Sequence, residues 1–284
     1  MAGNFWKSSH SQQWVLEKSD LLRDRADDLK AFNSEDDYQK VMMYFINLIH
    51  QVGRNIDGRI RQHAIATACT YFRRFYARRS FKDMDPFCLA VTCLVFATKV
   101  DEFGMIGVTK TIGTLQSLLQ KYPQLEKYAI QKHHVEEAEF ILSEIMDCCL
   151  IIYHPYRPLN VFVQDMKAFG IAEKFVDTMY QDAWRIINDS LRTDAGLLFP
   201  PHTIALAAIM TAALFSRRDN ELVDWLAYLN IDYEKVFECQ QTLLAYYRLE
   251  KTYKEKDVVE ELVLKKMPKP SAVKPKEKME IGDI

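Results

Sequence analysis

One uncharged stretch, residues 86–98, constrains the fold of this chain more than any other part of the sequence. Asp85 is a good helix N-cap, and Pro86 is a good first helical residue because it lacks the N–H that would be unpaired there. Apolar side chains point to every side of the predicted helix, so the helix must be surrounded. It is about 20 Å long, too short for a bilayer core of about 30 Å. Other helices of the same chain must therefore cover it.

The charged residues after this stretch mark where the buried helix reaches the surface. Lys99 is the first charge, and Asp101 and Glu102 follow at once. We therefore expect functional side chains at this end of the helix.

Composition and charge predict a folded helical protein without an electrostatic pull toward nucleic acid or membranes. Hydrophobic residues make up 49% of the 284 residues, with only nine glycines and nine prolines. The formal net charge of −2 creates no overall positive field. The six cysteines lie mostly in apolar helical runs without C-x-x-C spacing, which is typical of reduced core residues in an intracellular protein. The other uncharged run, residues 195–216, contains two adjacent prolines and is not predicted to span a membrane.

The helical pattern occurs twice along the chain. An amphipathic helix followed by an uncharged helix that begins with proline is found around Pro86 and again around Pro201. A period of about 115 residues indicates a duplicated domain rather than a solenoid. Two prolines within residues 153–158 interrupt the pattern and mark the boundary between the copies.

These patterns predict an all-α protein with two main domains. A single amphipathic helix is expected at residues 11–29, and a helix with an arginine-rich edge at 61–79. The predicted organisation is an N-terminal segment with an extra helix at 1–33, a first domain at 34–152, a second at 158–256, and a short helix with a disordered lysine- and proline-rich tail at 257–284.

The sequence contains no motif of a known catalytic site. Phosphate-binding glycine loops, H-E-x-x-H and G-x-S-x-G are all absent. His133, His134, Glu137 and Glu139 on one helix come nearest to a metal site, but a solvated helix start explains them better because no facing ligand group accompanies them. Residues 188–194 could hold Mg²⁺ in a helical enzyme that acts on prenyl diphosphates, but the second aspartate-rich run of such enzymes is missing. The chain is therefore predicted to be no enzyme and to need no cofactor or metal.

Arginines in the third predicted helix allow a nucleic-acid interpretation. Arg73, Arg74, Arg78 and Arg79 could contact phosphates. Because no wider basic surface accompanies them, a solvated helix face or intramolecular pairing is favoured, and no direct nucleic-acid partner is predicted.

Several sequence blocks resemble the cyclin box, a five-helix module that usually occurs twice. The block Phe96-Ala-Thr-Lys-Val-Asp-Glu102 follows an arginine-edged helix and precedes one containing Glu139-Phe-Ile-Leu-Ser-Glu-Ile-Met-Asp147, as in that module. Within the cyclin family, three further blocks are similar to transcriptional cyclins: residues 4–10, 71–78 and 146–158. The resemblance covers nearly the whole chain and implies two tandem five-helix cyclin boxes.

The resemblance also implies a function. It indicates a nuclear regulatory subunit that activates a cyclin-dependent kinase in RNA polymerase II transcription, the kinase being that of the Mediator complex. In cyclins, the residues that match Lys99 and Glu139 clamp backbone groups beside a kinase helix. The predicted kinase-binding set is Lys99, Asp101, Glu102, Glu139 and Phe140. An internal Lys99–Glu139 surface pair is the alternative, worth only about 0–1 kcal/mol.

A second partner surface is implied as well. By the same resemblance, Trp6, Asn188, Asp189 and Tyr247 form a groove for another subunit of the Mediator kinase module. The alternative is that Trp6 only attaches the N-terminal helix to the second repeat.

The chain departs from cell-cycle cyclins in one helix. These cyclins carry a Met-Arg-x-x-x-x-Trp docking patch on the first box helix, and residues 41–50 lack it. This favours a transcriptional cyclin. Two other classes stay open at this point: a nucleic-acid-binding general transcription factor with the same fold, and a helical metal enzyme.

Overall fold

The computed structural model describes residues 3–32, 34–56, 58–125 and 129–268, and helices are the only regular elements in these ranges. The N-terminal segment contains a 3-10 turn (Phe5–Lys7) and helices α1 (Ser9–Gln13), α2 (Lys18–Asp24) and α3 (Ala26–Phe32). The first repeat comprises α4 (Glu35–Asn55), α5 (Gln62–Arg78), α6 (Pro86–Val100), α7 (Val108–Leu119) and α8 (Lys132–Ile145). The second comprises α9 (Tyr156–Phe169), α10 (Glu173–Ser190), α11 (Ala195–Leu198), α12 (Pro201–Ser216), α13 (Val223–Tyr228) and α14 (Tyr233–Glu250). A last helix, α15 (Glu255–Asp257), continues as a π-helical segment (Val258–Val263).

Helix α6 is the centre of the first repeat, as predicted. Asp85 Oδ1 accepts a hydrogen bond from the N–H of Cys88 at 2.9 Å and so caps the helix that begins at Pro86. Every residue of α6 as far as Thr98 is buried except Phe96, because α4, α5, α7 and α8 all pack on the helix. Gly53 lets α4 approach α5 closely, since a Cβ at residue 53 would lie 3.0 Å from the side chain of Ile65 on α5. The prediction of a fully surrounded helix is confirmed.

Helix α12 repeats this arrangement in the second repeat. It begins at Pro201, is almost entirely buried, and packs against α9, α10 and α14. The backbone leaves it at Arg217 in the left-handed conformation, with φ 54°. No helix in the described ranges is both long enough and apolar enough to cross a bilayer.

The N-terminal segment differs from the single helix predicted at residues 11–29. The chain there is divided into α1, α2 and α3, and the break after α1 falls at Trp14. The Trp14 ring is fully buried, with the guanidinium carbons of Arg74 and Arg78 each 4.7 Å from its centre. This packing holds Trp14 against α5. One straight helix could not at the same time place Leu21 against Ala77 and Leu197, the residues with which it packs. The periodicity detected the helices but not the breaks between them.

The arginine-rich edge of α5 is buried at Arg73 and Arg74 and exposed at Arg78 and Arg79. Arg73 and Arg74 are 3% and 0% exposed, and both make intramolecular contacts. Of the two favoured interpretations, intramolecular pairing is confirmed for these two arginines.

A buried carboxylate connects the N-terminal segment and both repeats. Asp194 accepts two hydrogen bonds of 2.8 Å from Arg25, one of 2.9 Å from Arg73 and one of 2.6 Å from Gln39. Burial disfavours the charged carboxylate, but the two arginines outweigh it and hold the pKa of Asp194 below its usual range. Arg25 lies between α2 and α3, so this contact accounts for the second break in the N-terminal helices.

The C-terminal helix returns to the first repeat. Val259 and Leu262 are buried in the core of that repeat, and Lys266 Nζ lies 3.3 Å from Asp37 Oδ2 at the start of α4. The boundary predicted at residue 257 therefore falls inside a helix that begins at Glu255. Residues 269–284 of the predicted disordered tail lie outside the described residues.

The position of α6 makes a stability prediction. Leu94 is 0% exposed, so Leu94→Asp would bury a carboxylate without a partner and should lower the free energy of unfolding by more than about 4 kcal/mol. Phe140→Asp is the control, because Phe140 is 79% exposed and its replacement should leave the melting temperature unchanged. Thermal unfolding followed by circular dichroism measures both. Equal melting temperatures for Leu94→Asp and the wild type would contradict the central position of α6.

Candidate functional site

The C-terminal end of α6 is closed by a tight turn that displays the predicted tip. The N–H of Phe103 donates to the carbonyl of Thr98 at 3.1 Å, and the N–H of Glu102 donates to that of Lys99 at 3.3 Å. These two bonds form a Schellman motif, in which glycine usually holds the left-handed position. Here Glu102 holds it with φ 50°, at a cost of about 1–2 kcal/mol for a non-glycine residue. The sequence thus tolerates local strain at a surface turn where a glycine would remove it.

Lys99 and Glu139 meet at this tip. Lys99 Nζ lies 2.7 Å from both carboxylate oxygens of Glu139, so α6 and α8 are joined by a charge-assisted contact at the surface. The two side chains are 42% and 21% exposed. Phe140 and Ile141, which follow Glu139 on α8, are 79% and 41% exposed. The tip therefore places an ion pair beside exposed apolar side chains, and exposed apolar surface is a feature of protein-binding sites.

Two side chains of α5 hold the Asp101 carboxylate in place. It accepts a hydrogen bond of 2.7 Å from the Thr67 hydroxyl, and the Nδ1 atom of His63 lies 3.2 Å from the same carboxylate oxygen. The Thr67 oxygen is also 2.8 Å from His154 Nε2. Because the single hydroxyl proton of Thr67 goes to Asp101, His154 must donate through Nε2. This chain of hydrogen bonds fixes the direction in which the end of α6 points.

Burial keeps two histidines, His154 and His10, neutral near these hydrogen bonds. His154 is 7% exposed, and its burial, followed by interactions with His63, His10 and Arg74, holds its pKa well below the usual 6.5. Burial and Arg74 lower the pKa of His10 to about 3. His10 Nδ1 accepts from the N–H of Tyr153 at 3.1 Å, so its neutral form attaches α1 to the segment between the repeats.

Trp6 lies on a second surface, beside an open pocket. Its side chain is 62% exposed, and its ring centre is 5.3 Å from that of His202 at the start of α12. The pocket encloses about 780 Å³ between the N-terminal segment and the second repeat. Its lining is largely aromatic and aliphatic, and includes Trp6, Tyr153, Tyr156, Val161 and Phe162.

Asn188 lies beneath this pocket rather than on its wall. Its amide oxygen accepts from the Tyr156 hydroxyl at 2.8 Å and from Gln62 Nε2 at 3.0 Å. Tyr156 lines the pocket, so Asn188 orients a wall residue and also joins α10 to α5.

Asp189 and Tyr247 form a separate pair. Asp189 Oδ2 accepts from the Tyr247 hydroxyl at 3.0 Å, and Oδ1 accepts from Arg192 at 3.1 Å. Burial raises the pKa of Asp189 above its usual range, and burial followed by Asp189 raises that of Tyr247. The Tyr247 ring packs edge-on against Phe215, which is 54% exposed, at 5.2 Å. The structure therefore brings Asp189 and Tyr247 together, and it links Asn188 to the Trp6 pocket through Tyr156.

Sequence reasoning missed the residues that support the tip. Thr67, His63 and His154 lie far from Asp101 in sequence, and no short motif joins them. The sequence gives no distinct signal for Thr67, because its neighbours at helical spacing on α5, His63, Thr70 and Arg74, are polar as well. His133 and His134 are exposed at the start of α8, and within the described ranges no three His, Cys, Asp or Glu side chains are grouped to hold a metal ion.

Comparisons with known proteins agree on one family. A profile described as "Cyclin, N-terminal domain" matches residues 14–148, and one described as "Cyclin C-terminal domain" matches residues 154–220. The chain is similar to Cyclin-C of Drosophila melanogaster, with 46% identity over 95% of this chain and 98% of that protein. Cyclin-C of Rattus norvegicus is 43% identical over 95% of this chain and 92% of its own length. A chain in the cryo-EM structure of the yeast TFIIK complex shares the fold, with a TM-score of 0.64 and 22% identity, over 84% of this chain and 100% of that one.

The neutral histidines make a pH prediction. A histidine whose folded pKa lies below its unfolded value near 6.5 takes up a proton on unfolding, so stability is lost as pH falls below about 6.5. Each such group contributes a slope of up to about 1.4 kcal/mol per pH unit. His154→Gln, which keeps a donor for Thr67, should flatten the dependence of unfolding free energy between pH 6.5 and 5.

Urea unfolding at several pH values measures that slope, and absolute stability does not enter the comparison. His133→Gln is the matched control, because His133 is exposed. An unchanged slope in His154→Gln would show that His154 is already protonated in the folded protein.

Proposed function

This chain belongs to the cyclin family, and we propose that it binds and activates a cyclin-dependent kinase that acts in RNA polymerase II transcription. Cyclins are regulatory subunits rather than enzymes. The relatives named Cyclin-C match over nearly their whole length, which supports the finer proposal that the kinase is that of the Mediator kinase module and that the chain works in the nucleus. The observation that carries kinase binding is the accessible charged and apolar tip of α6 and α8.

Activation by a protein without catalytic groups requires selective binding of one kinase conformation. A protein kinase is active only when the glutamate of its C-helix pairs with the lysine of strand β3. A partner that binds only the inward position of that helix shifts the population toward it. Shifting a 1:99 equilibrium to 99:1 needs about 5.5 kcal/mol of differential binding. A protein interface of ordinary size can supply this binding free energy if the cyclin surface does not deform when it contacts the kinase.

The tip of α6 is built to resist displacement. Asp101 is held by Thr67, the turn at Glu102 is closed by two backbone hydrogen bonds, and α6 is packed on all sides. We propose that Lys99 donates to backbone carbonyls beside the kinase C-helix, while Glu139 accepts from backbone N–H groups. Phe140 would then fill an apolar recess next to that helix, with Asp101 and Glu102 at the edge of the contact.

The two rival functions lose most of their structural motivation. Of the four arginines that prompted the nucleic-acid interpretation, Arg73 and Arg74 are buried in contacts with the chain itself, and only Arg78 and Arg79 are exposed. Asp189 and Asp194, which prompted the diphosphate interpretation, are engaged by Arg192 and by Arg25, Arg73 and Gln39.

Charge reversal at the tip tests kinase binding. Lys99→Glu and Glu139→Lys should each weaken kinase binding by about 2 kcal/mol or more, a loss of about 30-fold in affinity. Biolayer interferometry with the separately purified kinase measures Kd, and thermal unfolding checks that the fold is intact. Lys174→Glu, an exposed lysine of the second repeat, is the control for a change in net charge.

The double variant Lys99→Glu with Glu139→Lys separates the interface from an internal pair. It restores an ion pair between α6 and α8 with the charges exchanged, so a purely internal role predicts recovery of binding. An interface role predicts continued loss, because donors and acceptors now face the wrong kinase groups. Wild-type affinity in either single variant would place the kinase contact elsewhere.

We further propose that Trp6, Asn188, Asp189 and Tyr247 contribute to a surface for another subunit of the same kinase module. The exposed Trp6 ring beside a largely apolar pocket suits an aromatic or aliphatic anchor. Asn188 would act indirectly by orienting Tyr156, while Asp189 and Tyr247 present a polar pair next to the exposed Phe215 ring. A partner segment that reaches both places would gain affinity at the pocket and orientation at the pair.

Combined substitution tests this second surface. Trp6→Ala with Asp189→Ala should abolish capture of the third subunit while the kinase still binds, as measured by co-purification of the reconstituted module. Val223→Ala removes another exposed apolar side chain of the second repeat and serves as control. Joint loss of kinase binding and thermal stability would mean that this surface is structural rather than a binding site.

A further inference from the structure

A groove with an apolar floor lies between the N-terminal segment, α4 and α14, apart from the surfaces described above. It encloses about 760 Å³. Its floor includes Met43 of α4, Phe199 at the end of α11, and Phe237 of α14, which is 56% exposed. Because one wall belongs to the first repeat and the other to the second, any occupant would contact both.

The rim of this groove carries carboxylates that have no ion-pair partner among the described residues. They come from three elements: Glu17 at the start of α2, Glu35 and Asp36 in the first turn of α4, and Glu238 on α14. All four are exposed. Two basic side chains also line the groove, Lys18 and Arg192. Arg192 is already paired with Asp189 and Asn47, whereas Lys18 makes no ion pair within the described ranges. An occupant of complementary charge must therefore be basic.

The chain itself carries a basic segment that starts beside this rim. Lys266 pairs with Asp37, the residue after Asp36, and Met267 packs against the core of the first repeat. The structure describes the chain as far as Pro268, and residues 269–284 follow. The first ten of them contain four lysines and one acid: Lys269, Lys274, Lys276, Lys278 and Glu277.

The length of this segment is sufficient. Ten residues that include Pro270 and Pro275 can extend at about 3.1 Å each, or about 30 Å in total. The rim of the groove includes Asp36, the residue before the Asp37 that pairs with Lys266. The groove therefore begins within reach of the extended segment. Binding would be intramolecular, so even weak lysine–carboxylate contacts would act at a high effective concentration.

We propose that residues 269–278 bind in this groove and connect the first repeat to the second. The lysines pair with Glu35 and Asp36 on one wall and with Glu17 and Glu238 on the others, and the aliphatic parts of Val273 and the prolines cover the Phe237 side of the floor. A basic partner segment could enter the groove only by displacing the tail, which makes the tail a competitor for that surface.

A zero-length carbodiimide cross-linker tests the proposal on the full chain. It joins a lysine amine directly to a carboxylate, so mass spectrometry should find tail lysines linked to the four rim acids with a yield about fivefold above links to other exposed acids, as expected for a high effective concentration. The preference should decrease at high salt, because exposed charges are then screened. Glu35→Lys with Asp36→Lys should reduce links to the remaining rim acids Glu17 and Glu238. The matched control, Glu173→Lys with Asp224→Lys, reverses two exposed acids of the second repeat and should leave these links unchanged.

Mixing ¹⁴N- and ¹⁵N-labelled protein distinguishes the occupants. Links within one isotope support the tail of the same molecule, whereas mixed-isotope links would assign the groove to the tail of a second copy and overturn the proposal. Equal yields for rim and control acids would overturn it as well. Trypsin provides an independent measurement after Lys276 and Lys278, the two tail lysines that proline does not follow. Cleavage there should be faster in the rim variant than in the control variant, and equal rates would contradict the proposal.

Discussion

The carboxylate of Asp194 is the contact on which the arrangement of the two repeats depends. Two arginines and a glutamine from the N-terminal segment, α5 and α4 converge on one buried acid of the second repeat. Removing a carboxylate from water costs several kcal/mol, and only well-placed hydrogen bonds offset this cost. The bidentate Arg25 contact and the Arg73 contact fill both oxygens, so the geometry has few alternatives. A slide of one repeat across the other would leave charges buried without partners, which is far more costly than the loss of apolar contacts alone.

This fixed arrangement gives the surface residues their positions. Arg73 also donates to the carbonyls of Leu191 and Arg192, so the turn after α10 is held against α5. One turn earlier, Asn188 binds Gln62 of α5 and Tyr156 of α9. The same helix α5 supports Asp101 through Thr67. A single helix of the first repeat therefore positions the tip of α6 and the foundation of the Trp6 pocket, and both surfaces share one rigid support.

The sequence predicted the parts of the fold that depend on local chemistry. The cap at Asp85, the proline starts of α6 and α12 and the absence of charge along both helices follow from nearest neighbours along the chain, so the duplication was visible. The breaks at Trp14 and Arg25 were not, because they depend on Arg74, Arg78 and Asp194, which lie far away in sequence. The same limit applies to the site: Lys99 and Glu139 were found through a family resemblance, whereas the hydrogen bonds from Thr67 and His154 needed the three-dimensional arrangement.

Duplication also explains how one chain can present two surfaces of unlike chemistry. Helices α6 and α12 both begin with proline, both are largely buried, and each packs against the last main helix of its repeat. At the end of α6, Lys99 meets Glu139 of α8. At the end of α12, the ring of Phe215 meets that of Tyr247 of α14. The buried part of each helix cannot change without loss of packing, but the exposed end is free to change. An ion pair in one copy and an aromatic pair in the other thus give the same scaffold a charged contact and an apolar one.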